Sequence, residues 1–206
     1  TVRNNGTRPA TAPWTDRIYI DNDTTVSGGT LLASVTRTFD LDPGEAYTVV
    51  RDVTLPTSIG DSGYHVIIRA DAQGQVFEGG AEADNDLASL ELVLSHPDLL
   101  PSALVHEGGA VAESNSTFAV RWRITNTGTG TTLGPWTDTL WLSRDNVVGG
   151  GDIRLGDLIA TGPLAPGETY DGLLSVTLPI DAQGAYRLIL RTDSGNALAE
   201  LSAGEA

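Results

Sequence analysis

The segment Pro13-Trp14-Thr15-Asp16 returns as Pro135-Trp136-Thr137-Asp138, 122 residues later. Asp42-Pro43-Gly44-Glu45-Ala46-Tyr47 returns as Ala165-Pro166-Gly167-Glu168-Thr169-Tyr170 at a spacing of 123, and Val53-Thr54-Leu55-Pro56 returns as Val176-Thr177-Leu178-Pro179 at the same spacing. Arg69-Ala70-Asp71 matches Arg191-Thr192-Asp193, and Glu78 matches Glu200. Matches in one order at nearly one spacing define a duplicated unit. Solenoid repeats are shorter, about 20–50 residues. A unit of this length is a domain with its own core, the size of an immunoglobulin-type sandwich of about 100 residues.

The repeat also sets expectations for the ends. Val2-Arg3-Asn4-Asn5-Gly6-Thr7 aligns with Ile124-Thr125-Asn126-Thr127-Gly128-Thr129, and only the second copy has a long lead-in before that point, residues 97–123. The first copy continues beyond Glu78 through residues 87–94, whereas the second stops at Ala206. The expected division is residues 1–95 for a first sandwich without its N-terminal strands, and residues 96–206 for a second without its C-terminal strand.

Local patterning points to short strands. Residues 118–124 alternate, which puts Phe118, Val120, Trp122 and Ile124 on one inner face. Residues 136–143 space Trp136, Leu140 and Leu142 for a second inner face, with residues 14–20 as the counterpart. Strands are expected at 47–55 and 170–178 after the Pro-Gly turns. Residues 64–70 and 186–191 are apolar enough for central positions in a sheet. Turn signals such as Asp42-Pro43-Gly44 and Ser194-Gly195 punctuate the chain, and no segment carries a capped helical period. The fold class is all-β, two tandem immunoglobulin-like antiparallel β-sandwich domains. Tyr64 and Tyr186 each open a strand after an Asp…Gly turn, where a tyrosine corner would bond its hydroxyl to upstream backbone.

Composition narrows function. A net charge of −15 repels phosphate backbones and anionic membranes, so nucleic acid is not an expected partner. With no Cys, disulfides, thiolate metal sites and Cys nucleophiles are excluded. No apolar run is long enough to span a bilayer.

The ordered elements of the second copy resemble the CARDB family, a cell-adhesion-related module of bacterial and archaeal surface proteins. They are Pro97-Asp98-Leu99-Leu100, Asn126-Thr127-Gly128, residues 136–145, Leu164-Ala165-Pro166-Gly167-Glu168, Val176-Thr177-Leu178-Pro179 and residues 184–193. The first copy resumes the pattern at Asn5-Gly6 and ends on Glu82-Ala83-Asp84-Asn85-Asp86. The resemblance implies a seven-stranded sandwich in multi-copy arrays, an adhesive or spacer role, and no catalytic residues.

Enzymatic chemistry finds little support in the residues. His65, His96 and His106 do not recur between copies, and no nucleophile elbow or P-loop is present. The chain is therefore read as no enzyme. Calcium is the cofactor that acidic loops would suit, because a hard cation takes carboxylate and carbonyl oxygens. One candidate set is the acidic stretch closing the first copy, Glu78, Glu82, Asp84, Asn85 and Asp86. Two loops offer others: Asp21 with Asp23 in the first copy, and Asp145 with Asp152 in the second. The competing reading is a set of solvated acidic turns, and neither loop fits the twelve-residue EF-hand.

Trp14, Trp136 and Trp141 could stack on sugar if exposed, or pack in a core. These readings define a non-catalytic structural or adhesive module of a secreted or cell-surface bacterial protein, as part of an extracellular filament or multi-repeat array. The alternative is an accessory polysaccharide-binding module of a secreted hydrolase. Expected partners are neighbouring repeats or copies of the same protein, including by strand complementation, and a surface or polysaccharide target.

Overall fold

The computed structural model describes residues 1–56, 58–80, 82–107, 109 and 111–200. Two compact units divide the chain, Thr1–Leu94 and Ser95–Ala206. The described residues are all-β apart from one 3-10 turn, Glu82–Asp84.

Unit 1 contains β1 (Val2–Arg3), β2 (Trp14–Asp21), β3 (Thr30–Arg37), β4 (Ala46–Tyr47), β5 (Ser62–Arg69), β6 (Asp86–Ala88) and β7 (Leu92–Leu94). Its main sheet runs β3-β2-β5-β6, with β7 also on β5; β1 and β4 form a separate pair. Unit 2 contains β8 (Leu99–His106), β9 (Thr117–Asn126), β10 (Trp136–Ser143), β11 (Ile153–Ala160), β12 (Thr169–Thr177) and β13 (Arg187–Arg191). These make two three-stranded antiparallel sheets, β11-β10-β13 and β12-β9-β8.

The sandwich core of unit 2 lies between those sheets. Val120, Trp122 and Ile124 from β9 and Val176 from β12 meet Trp136 and Leu140 from β10, with Leu99 and Leu164 closing the ends. The alternation expected of residues 118–124 therefore forms the inner face, Phe118 being partly buried against the same cluster. The two units repeat their registers. Leu140 pairs with Gly156 and Leu190, and Ile18 pairs with Ala33 and Ile68. Both central hairpins shift register at the same place, between Leu140 and Trp141 and between Ile18 and Tyr19.

Three expectations are corrected. The strand expected at 47–55 shrinks to Ala46–Tyr47. Its counterpart β12 forms nine rungs with β9, but in unit 1 the partners on that side among the described residues are Val2 and Arg3. A strand without a partner has no ladder for its backbone groups. Second, β5 is central as expected, but β13 is an edge strand among the described residues. The described part of unit 2 has six strands where the resemblance implied seven. Third, the Tyr64 hydroxyl donates to the Gly60 carbonyl at 3.2 Å, as a tyrosine corner does. The Tyr186 hydroxyl instead accepts from Arg144 at 2.8 Å, the guanidinium lying 4.4 Å from the ring centroid.

Candidate functional site

The two most strongly repeated motifs meet in space. Strand alternation turns Trp136 and Asp138 of β10 inward, and β12, opening just after the Pro166-Gly167 turn, brings Tyr170 opposite. The Tyr170 hydroxyl donates to Asp138 Oδ2. Trp122 Nε1 donates to the same oxygen at 2.9 Å, and Thr192 Oγ1 donates to Oδ1 at 2.7 Å. The Trp136 and Tyr170 rings are 5.8 Å apart, edge to face. Asp138 thus ties β9, β10, β12 and the end of β13 together through one carboxylate that is 1% exposed.

Unit 1 builds the same clasp from Trp14, Asp16 and Tyr47. The Tyr47 hydroxyl donates to Asp16 Oδ2, the Asp71 backbone N–H donates to Oδ1 at 3.0 Å, and Trp14 Nε1 donates to the Tyr47 hydroxyl at 3.3 Å. Burial is the main cause that raises both phenols above the ordinary tyrosine value, and the adjacent carboxylate adds to it. Both tyrosines therefore stay protonated as donors through the neutral range.

Two further polar devices recur. Asp71 and Asp193 are buried and left-handed, at φ 41° and 39°. Each folds the following loop over its carboxylate, which accepts the N–H groups of Gln75 and Val76 in unit 1 and of Ala197 and Leu198 in unit 2. Asn4 and Asn126 hold the loop after β1 or β9 to the loop before β4 or β12. The Asn126 side-chain amide donates to Gly130 O and Leu164 O, and that of Asn4 donates to Arg8 O and Leu41 O.

The acidic residues singled out for calcium lie against other partners. Asp21 Oδ1 faces the Asp23 N–H at 3.4 Å, and Asp23 accepts the Thr25 N–H at 2.6 Å. That backbone bond holds the Asp23 carboxyl below its ordinary value. Asp145 accepts the Val147 N–H at 2.8 Å, and Asp152 accepts the Gly149 N–H at 2.8 Å. Asp86 forms a two-pronged pair with Arg69 at 2.5 and 2.6 Å. Glu78 accepts from the Asn85 amide at 2.7 Å, while Asp84 is exposed in the 3-10 turn. The side chain of Glu82 lies outside the described residues. Among the described residues no three His, Asp or Glu side chains are grouped to hold a metal ion.

Trp14, Trp122 and Trp136 are buried, at 3%, 2% and 2% exposure, and Trp141 is half-buried. His65 Nδ1 lies 2.9 Å from the Ser89 carbonyl, and His106 packs 5.8 Å from the Phe118 ring. Each carries a structural contact.

Paired antiparallel sheets around a buried carboxylate–phenol clasp define a β-sandwich whose buried acids are committed to holding it together. The chain belongs to the CARDB family, whose profile matches residues 96–204. This is a family of non-catalytic domains. No curated protein matches. Solved structures similar to part of the chain include β-glucosidase 3B from Thermotoga neapolitana in complexes with glucose, with α-D-glucose and with glycerol. Each is 20% identical with a TM-score of 0.30, covering 42% of this chain and 11% of the enzyme. The match thus spans about a ninth of that enzyme's length and carries no argument about activity.

Asp16, Asp138, Asp71 and Asp193 were missed as sites by sequence reasoning that looked for clustered charge. The signal that finds them is identity between the copies: each acid sits inside a repeated motif, Pro-Trp-Thr-Asp or Arg-x-Asp.

Proposed function

We propose that this chain is a non-catalytic structural or adhesive module of a secreted or cell-surface bacterial protein, one stretch of a multi-repeat array. The observation that carries this reading is the duplicated clasp. Consecutive units spend the same buried acid and phenol on internal cohesion, which is what a spacer element needs. CARDB domains occur in extracellular and cell-surface bacterial proteins, and a net charge of −15 suits a solvated surface. A polysaccharide-binding role gains no support from Trp14 and Trp136, whose rings are packed inside and offer no stacking platform.

Two experiments test the reading. Antibody against the chain, applied to intact cells of the source organism, is expected to label the outer surface; labelling only after lysis contradicts it. A pull-down on insoluble polysaccharides is expected to retain nothing. Retention that Trp141→Ala abolishes establishes the carbohydrate reading instead.

A further inference from the structure

One place beside the clasp is filled in unit 1 and open in unit 2. In unit 1, Trp14 of β2 pairs with Arg37 of β3. The Arg37 guanidinium carbon lies 4.5 Å from the centroid of the Tyr47 ring and 5.7 Å from that of Phe39. Its Nε donates to the Phe39 carbonyl at 3.1 Å, which holds the planar group over the phenol. In unit 2, Trp136 of β10 pairs with Ala160 of β11, so a methyl stands where the Arg37 stem begins. Gly162 likewise stands in the place of Phe39. The result is an open cleft of about 270 Å³ whose lining includes Trp136, Ala160, Gly162, Leu164 and Tyr170.

The walls around that place are otherwise the same. Trp136, Leu164 and Tyr170 repeat Trp14, Leu41 and Tyr47. The tryptophan and tyrosine rings are 5.8 Å apart in unit 2 and 6.2 Å in unit 1. Leu164 bridges to Thr132 as Leu41 bridges to Ala10. Beyond the phenol, Asp138 accepts the Tyr170 hydroxyl as Asp16 accepts that of Tyr47. The face of a tyrosine ring attracts a cation, and the carboxylate beyond the hydroxyl adds to that attraction. Unit 2 therefore keeps the surface on which unit 1 seats a guanidinium, and lacks the guanidinium.

We infer that the unit 2 cleft is the seat of an arginine side chain presented by a partner protein, whose guanidinium takes the place that Arg37 fills in unit 1. Two features set the occupant. A net charge of −15 draws a basic partner and repels a second copy of the same chain. The side chains lining the cleft are apolar apart from Thr161 and the Tyr170 hydroxyl, so no charged group there holds the α-carboxylate of free arginine. An arginine within a polypeptide has no such carboxylate to satisfy. The inference rests on the adhesive reading for its partner and on the paired repeats for its seat. Binding to the purified chain in solution is therefore decided separately from labelling of the cell surface.

The test titrates an acetylated, amidated glycine-arginine-glycine peptide into the full chain and follows the Tyr170 ring and the Trp136 indole by NMR. Saturable shifts at both rings are expected, with binding at least about fivefold tighter than for the same peptide carrying uncharged citrulline. Free arginine is expected to bind more weakly than the peptide. Ala160→Arg supplies a guanidinium from β11 and is expected to abolish binding. Arg37→Ala vacates the seat in unit 1 and is expected to add a second site, with shifts at Tyr47 and Trp14. The absence of saturable shifts overturns the inference, as does equal binding of the citrulline peptide or tighter binding of free arginine. A folded Ala160→Arg chain that binds unchanged also overturns it, and so does Arg37→Ala with no second site. Should Ala160→Arg fail to fold, the site count of Arg37→Ala decides.

Discussion

Asp138 and Asp16 are carboxylates held almost out of water, at 1% and 6% exposure. A buried charge without partners costs several kcal/mol, so each survives only through the donors around it. The tyrosine in each clasp gives the pH dependence its sign. Its value is raised in the fold, so its contribution is fully present below the unfolded value of about 10 and declines as pH rises beyond it. Melting temperature measured from pH 8 to 11 should therefore fall above pH 10, and Tyr170→Phe should flatten that fall while lowering stability at neutral pH. A second residue-scale prediction concerns Gly172. Gly172→Ala forces its Cβ against the indole of Trp122, so denaturant titration should show a loss of about 1–3 kcal/mol.

Among the elements, the loop after β13 is set by Asp193, whose carboxylate accepts two successive N–H groups and directs Leu198 onto the core. Asp193→Ala removes both acceptors and leaves a Cβ residue in the left-handed region. The expected cost is about 1–3 kcal/mol by chemical denaturation, with faster amide exchange at Ala197 and Leu198. The acidic loops bond mainly to their own backbone and to Arg69, so calcium titrated into chelator-treated protein should release no heat and leave the melting temperature unchanged. Heat with a rise in melting temperature would establish an ion site.

The strands themselves were legible because alternation in residues 118–124 and 136–143 follows directly from the two-residue period of a sheet. Residues 47–55 read equally well, yet only Tyr47 of them joins a strand, Ala46–Tyr47, because pairing depends on a partner far away in sequence. The clasp escaped notice for a related reason. Asp16 and Tyr47 meet only once two hairpins stack, and a single Asp between Thr and an apolar strand reads as surface.

At the scale of the whole molecule, one sequence plan is used twice with unequal completeness. Unit 2 closes two sheets on a continuous core, while unit 1 carries one main sheet and the same clasp. Array proteins gain length by repeating such cohesive units, which is consistent with the spacer or adhesive role proposed above.

Scanning calorimetry of the wild-type chain beside Asp16→Ala and Asp138→Ala tests that plan most directly. Each substitution strands buried donors, at a cost of about 3 kcal/mol or more. Two transitions are expected, with Asp138→Ala lowering the higher and Asp16→Ala the lower, each leaving the other in place. A single transition moved by both substitutions, or no movement with either, would contradict a fold built twice around its own buried acid.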